Sequence, residues 1–376
     1  MKSLRILLLI LVCLFLLFPA HSMQENLQAG QQAQIAPAKT FFESASITNH
    51  TLNLDGKALS YTATAGYIPL KNDTGRTLAQ IFYISYTKDS QENIAQRPVT
   101  FAFNGGPGSS SIWLHMGALG PKRVVIPDDG TGMSRTYDLV DNKYTWIDFT
   151  DLVFVDPVGT GYSRAGEGVN PQQFYNLDED VKIMGEFVRR YVTENQRWLS
   201  PKYITGESYG TTRAVSMAGH MQKHHAMSMN GLVLISSALN FETFSFNSGN
   251  DIAYVLAIPS YAAAATYHKK LSGNLQDILK ESHQWAIDDF LPALAKGSTL
   301  SDSDHDKIVD MLAHYTGLSK SLLNDNRMRI ADYQFTNELL SDSFLEIGLL
   351  DARVTAPRAP DTFGYAYNDP SLFIVE

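Results

Sequence analysis

Ser208 sits in the stretch Ile204-Thr205-Gly206-Glu207-Ser208-Tyr209-Gly210, followed by Thr211-Thr212-Arg213-Ala214. The stretch reads as a strand end, a sharp turn carrying a serine, and residues able to start a helix. A serine on such an elbow is pushed out of the backbone with its hydroxyl exposed. Glycines flank it where two backbone segments must approach closely. Upstream, Asn104-Gly105-Gly106-Pro107-Gly108-Ser109-Ser110-Ser111 directly follows the apolar run Val99-Thr100-Phe101-Ala102-Phe103. A glycine-rich turn after a strand can aim backbone N–H groups at developing negative charge, the requirement of an oxyanion hole. Together the two segments point to acyl transfer through a serine nucleophile. A serine hydroxyl is weak at neutral pH, so a neighbouring base is also required.

Both segments need a sheet to hold them. Ile47 to Leu54 and Ala58 to Ala65 flank Asp55-Gly56, a strong hairpin signal, and Ala79 to Tyr86 is a further β-rich run. Four short apolar runs follow: Val99–Phe103, Leu152–Val155, Tyr203–Thr205 and Leu232–Ile235. Runs of this kind suit central strands covered on both faces. Between them, Asp178–Thr193 carries apolar residues at Val181, Met184, Phe187, Val188 and Tyr191, the spacing of a helix. An antiparallel start followed by alternating strand and helix predicts an α/β fold. Residues 251–325 read as helical, with a start signal at Ser301-Asp302-Ser303-Asp304.

The two chemical segments resemble those of the serine carboxypeptidase family, N-G-G-P-G-[CS]-S-S and G-E-S-Y-[AG]-G. A third, Phe154-Val155-Asp156-Pro157-Val158-Gly159-Thr160-Gly161-Tyr162-Ser163, resembles the family's D-x-P-V-G-T-G-[FY]-S stretch. The likeness runs in order from about Tyr61 to Asp369 and is greatest to a bacterial, cysteine-poor branch, in which W-L-H follows the serines, here Trp113-Leu114-His115. It implies an α/β-hydrolase fold with N-terminal antiparallel strands. The core is expected over 46–240, a helical cap over 241–350 and an incomplete return to the core over 351–376, with the last sheet strands missing.

The resemblance also implies roles. Ser208 is the nucleophile, and the N–H groups of Gly106 and Tyr209 form the oxyanion hole. Asn104, Gly105 and Glu207 recognise the C-terminal carboxylate of a peptide. In the family a second glutamate joins them; by ungapped count its position is Ala118, which predicts a roomier pocket. The family's Trp before N-G-G is replaced by Ala102. The chain order in hydrolases of this fold is Ser, then Asp or Glu, then His, and neither later member is found. His220, His224, His225, His268, His283, His305 and His314 all fall in helical contexts. Two of the three triad members are therefore expected to be absent and the chain, as given, inactive.

Composition narrows the partners. Met1, Lys2 and Arg5 precede the apolar run Ile6 to Phe18, and Ala20-His21-Ser22 offers a cleavage site, so 1–22 reads as a secretory signal peptide. Residues 23–45, rich in Gln and Ala, read as a flexible leader. The only cysteine, Cys13, lies in the signal, so the exported chain has no disulfides and must rely on a large core. A net charge of −9 argues against nucleic acid or an anionic membrane as partner. No ligand-spaced His/Cys cluster suggests a metal, and no cofactor is expected. Three functions remain open: a periplasmic or secreted carboxypeptidase acting on peptides with a free C-terminus, an esterase or acyltransferase on the same scaffold, and a non-catalytic binding protein.

Overall fold

The computed structural model describes residues 45–89, 93–125, 138–358 and 369–371. The expected signal peptide and leader lie outside them, apart from Ala45. Among the described residues twelve strands occur in chain order: β1 (Ser46–Leu54), β2 (Lys57–Lys71), β3 (Thr77–Lys88), β4 (Val99–Phe103), β5 (Lys122–Val124), β6 (Leu139–Asp141), β7 (Asp151–Val155), β8 (Arg164–Ala165), β9 (Lys202–Glu207), β10 (Gly231–Ile235), β11 (Leu345–Ile347) and β12 (Thr355–Pro357). The main sheet has the order β1-β2-β3-β7-β4-β9-β10, with β8 pairing to β3.

Neighbours among the first four strands of that order are antiparallel, and β7, β4, β9 and β10 are mutually parallel. The hairpin turn falls on Asp55-Gly56, both at positive φ, a conformation that the Asp-Gly pair supplies with little strain. β2 runs six residues beyond the expected Ala65, because its partner β3 continues to pair with it as far as Lys71.

Helix α1 (Leu177–Glu194) connects β7 to β9, and α2 (Tyr209–His225) connects β9 to β10. Asn176 caps α1 by accepting from the Glu179 N–H (3.1 Å). Val181, Met184, Phe187, Val188, Tyr191 and Val192 of α1 join Ala214, Met217 and Met221 of α2 in one core. There they meet Val99, Phe101 and Phe103 of β4, Val153 and Val155 of β7, and Ile204 of β9. A second core on the other side of the strands contains Leu52, Tyr61, Ala102, Leu114, Leu152 and Phe154. β4 and β7 are therefore buried along their whole length. This is the α/β-hydrolase arrangement, with antiparallel strands leading into a parallel set crossed by helices.

Beyond β10 the chain turns helical: α3 (Ile252–Tyr267), α4 (Leu275–Trp285), α5 (Leu291–Lys296), α6 (Asp302–Thr316), α7 (Lys320–Asp325) and α8 (Asp332–Glu338). Ser301 caps α6 by accepting from Asp304 N–H (3.2 Å). These helices have an apolar core of their own, including Val255, Tyr261, Trp285, Phe290, Leu312, Tyr315 and Phe335. Among the described residues, β10 pairs only with β9. Its apolar side chains are half-buried or, at Val233, exposed.

Candidate active site

β4 and β9 are adjacent and parallel, in register from Val99 opposite Lys202 to Phe103 opposite Gly206. Their carboxyl ends therefore deliver Asn104-Gly105-Gly106 and Glu207-Ser208-Tyr209 to one place. Ser208 has φ 55° and ψ −125°, a conformation that residues with a side chain rarely adopt and that persists only where surroundings enforce it. Ser208 N–H donates to the Ile235 carbonyl of β10 (3.0 Å), and Thr211 N–H donates to the Ser208 carbonyl (2.9 Å). Gly206 and Gly210 permit the turn: a Cβ on Gly206 would strike the Gly210 carbonyl, and one on Gly210 the Phe103 carbonyl.

The two glycine segments touch. A Cβ on Gly105 would lie 2.6 Å from Tyr209 N and 2.8 Å from Ser208 Cβ. Gly105 is buried in this contact, while Gly106, with φ 104°, is exposed. Tyr209 opens α2, so its N–H has no intrahelical acceptor. Glu207, Ser208 and Tyr209 are all half-buried. The elbow therefore sets the Ser208 side chain and the Tyr209 N–H beside the backbone of Gly105.

Asn104 has no exposed surface. Its Nδ2 donates to Glu207 Oε2 (3.0 Å), and its Oδ1 accepts from Leu114 N–H (3.0 Å). In this arrangement it holds Glu207 in place rather than presenting an atom to solvent. Ala118, where a second glutamate was sought, is exposed on the π-helical turn Trp113–Leu119. Its carbonyl accepts from Asn142 Nδ2 (2.7 Å).

Among the described residues no hydrogen bond reaches the Ser208 hydroxyl. The described histidines downstream lie elsewhere: His220 and His224 stack on each other (ring centroids 4.5 Å apart), and His268 Nε2 is 2.7 Å from the Ala352 carbonyl. His225 adjoins the stacked pair, and His283, His305 and His314 belong to α4 and α6. No group of three His, Cys, Asp or Glu side chains among the described residues could hold a metal ion.

Three residues that sequence reasoning passed over shape the site. Arg213 is buried; its Nε donates to Asp180 Oδ2 (2.9 Å) and its Nη1 to the Asn104 carbonyl (2.9 Å). Burial pushes the Asp180 carboxyl up, with Arg213 and the Tyr209 hydroxyl pulling it back. Asp156 accepts from the N–H groups of Ser111 (3.0 Å) and Tyr162 (3.2 Å), stitching the serine-rich turn to the Pro157–Ser163 loop. Burial also raises its pKa, and those two N–H donors oppose the shift. Sequence signals existed only for Asp156, in the third family segment. A cleft of about 300 Å³ opens beside the elbow, lined by Pro107, Gly108, Phe174, Tyr175, Tyr209 and Arg213 among others.

The chain is similar to known proteins of one family. "Serine carboxypeptidase-like 10" of Arabidopsis thaliana is 25% identical over 200 residues, 51% of this chain and 43% of that protein. "Serine carboxypeptidase-like 50" of the same plant is 31% identical over 148 residues, 39% of this chain and 30% of its own. The chain thus spans less than half the length of these curated relatives. Among solved structures, the prohormone-processing carboxypeptidase KEX1(DELTA)P of Saccharomyces cerevisiae matches with a TM-score of 0.43 and 20% identity, covering 68% of this chain and 53% of that one. The serine carboxypeptidase family model matches residues 54–345, most of the molecule and all of the site, and the chain belongs to that family.

Proposed function

We propose that the chain is a serine carboxypeptidase-type hydrolase acting on peptides with a free C-terminus, with Ser208 as nucleophile. The observation that carries this reading is the positive-φ Ser208 on the β9–α2 elbow, pressed against Gly105. Ser208 Oγ attacks the carbonyl carbon of the last peptide bond. The carbonyl oxygen takes the negative charge, and the N–H groups of Gly106 and Tyr209 stabilise it. As the C–N bond breaks, its nitrogen takes a proton from solvent, the C-terminal amino acid leaves, and the acyl group left on Ser208 is then removed by water. Glu207, held by Asn104, faces the substrate's carboxylate, and one of the two carboxyls must carry a proton for them to hydrogen-bond.

The serine's proton needs an acceptor. With no imidazole at Ser208 among the described residues, turnover by this chain is proposed to be far below that of a complete triad, with oxyanion stabilisation and binding supplying what remains. Export, to the periplasm or outside the cell, is proposed from residues 1–22. No described helix is long and apolar enough to cross a membrane.

The test is hydrolysis of blocked dipeptides, free acid against amide, with and without added imidazole. Expected are slow turnover that imidazole accelerates, preference for the free acid, and loss of both in Ser208→Ala. Equal use of acid and amide favours the esterase or acyltransferase reading. Turnover unchanged in Ser208→Ala removes Ser208 from the chemistry.

A further inference from the structure

Arg213, five residues after Ser208, contacts both halves of the site. Its Nη1 holds the Asn104 carbonyl (2.9 Å), the peptide that leads into Gly105-Gly106. Its guanidinium lies over the Tyr209 ring, 5.2 Å from the centroid, and 5.8 Å from that of Phe103 at the end of β4. Its Nε is fixed by Asp180 of α1 (2.9 Å), and the Tyr209 side chain is near enough to that carboxyl to favour its charged form. Arg213 and Asp180 are respectively 1% and 7% exposed. The pair thus ties the β4 end, α1 and the first turn of α2 together at one buried point.

Resting on the reading of Ser208 as nucleophile, we propose that Arg213 and Asp180 are positioning residues that set the spacing between the Gly106 and Tyr209 N–H groups. Neither touches the substrate carbonyl. Arg213 acts on one donor through the Asn104–Gly105 peptide and on the other through the Tyr209 ring. Arginine is required because it has N–H groups pointing in two fixed directions and a flat face for two rings, which the point charge of lysine lacks. Oxyanion stabilisation depends steeply on donor placement, so a shift well under the length of a bond matters.

The experiment uses the full chain and a fluorophosphonate, whose P=O oxygen must occupy the same donors. Ser208 Oγ bonds to phosphorus, fluoride leaves with the P–F electron pair, and the hydroxyl proton goes to solvent. The limiting rate (kinact) and the half-saturating concentration (KI) are measured separately. Arg213→Lys and Arg213→Met should lower kinact about tenfold or more while KI moves little. Arg197→Lys, in a buried arginine at the far end of the same strands, should lower Tm and leave kinact unchanged. That control separates positioning from simple loss of a buried ion pair. Folded Arg213→Met that reacts at the wild-type rate overturns the proposal. If the Arg213 variants do not fold, Asp180→Asn takes their place: it keeps the shape of the side chain and removes the charge that fixes Arg213 Nε. It should lower kinact about threefold, and an unchanged value overturns the proposal. Wild-type chain that takes no label at Ser208 even with imidazole supplied as base overturns the nucleophile reading itself, and the positioning pair with it.

Discussion

The parallel strands β4, β7 and β9 have a buried arginine–aspartate cluster at each end, and the two clusters are built for different ends. At the amino ends, Asp151 accepts from Arg97 Nε (2.7 Å) and Arg197 Nη1 (2.6 Å), both arginines being buried. Arg197 also donates to the Arg97 carbonyl (2.8 Å) and to Ser200 Oγ (2.7 Å), and Arg97 to the Ile147 carbonyl (2.5 Å). Every one of these partners is local scaffold. At the carboxyl ends, Arg213 and Asp180 make a single pair, and one of its contacts is the backbone beside Ser208. Here the positive-φ Ser208 lies in the same site as the exposed glycine backbone of Gly106. In open α/β sheets ligands bind outside the carboxyl ends of the strands. The same buried chemistry thus serves as a latch at one end and as a support for exposed groups at the other.

Removing the latch should be the larger injury. Asp151→Asn leaves two buried guanidinium groups without their carboxylate, and breaking such a cluster costs about 3–5 kcal/mol. Urea denaturation should show this as a lower midpoint. A loss below about 1 kcal/mol would mean that the amino-end cluster is no more than a surface-grade ion pair, and the contrast between the ends would fall.

The carboxyl end should be the acid-sensitive one. His115, on the π-helical turn after the glycine loop, is buried, stacks on Phe154 (centroids 4.5 Å apart) and pairs with the Tyr86 hydroxyl (2.7 Å). Burial lowers its pKa from 6.5 to about 4. The folded state therefore favours the neutral ring. Its contribution is complete above the unfolded pKa near 6.5 and is lost as the pH falls from there to about 4. The full span is worth at most about 3 kcal/mol. Stability measured from pH 7 to pH 4 should fall less steeply in His115→Gln than in the wild type; identical slopes would place the acid sensitivity elsewhere.

Two smaller effects probe the elbow. Gly105→Ala puts a methyl group 2.6 Å from Tyr209 N and 2.8 Å from Ser208 Cβ, an overpacking that should cost about 2 kcal/mol. Ser208→Gly should do the reverse, raising stability by about 1 kcal/mol through relief of the positive-φ strain. Destabilisation by Ser208→Gly would mean that the serine side chain is held by contacts that outweigh that strain.

Much of this was legible in the sequence because its signals are local. Val99–Phe103 announces β4 as a largely apolar run, and Asp55-Gly56 marks the β1–β2 hairpin. Gly206-x-Ser208-x-Gly210 marks the elbow by spacing alone. Asn176 and Ser301 stand where helices begin. The clusters at the strand ends left no such trace. Asp180 and Arg213 are separated by a strand and most of a helix, and Asp151 meets Arg97 and Arg197 only once three strands lie side by side. An isolated Asp or Arg in a sequence reads as surface charge, since burial and pairing are products of the tertiary fold. Asn104 shows the same limit: the motif gives its identity, but only packing reveals that both ends of its amide are already engaged, with Glu207 and with Leu114.

The strained serine at the carboxyl end of β9 is proposed as the reactive group of the molecule. Intact-mass analysis of the full chain after fluorophosphonate treatment, followed by peptide mapping, tests it most directly. One adduct, located on Ser208 and absent from Ser208→Ala, is the predicted result. A wild type that stays unlabelled with imidazole supplied, or label on Ser109, Ser110 or Ser111 that persists in Ser208→Ala, would contradict it.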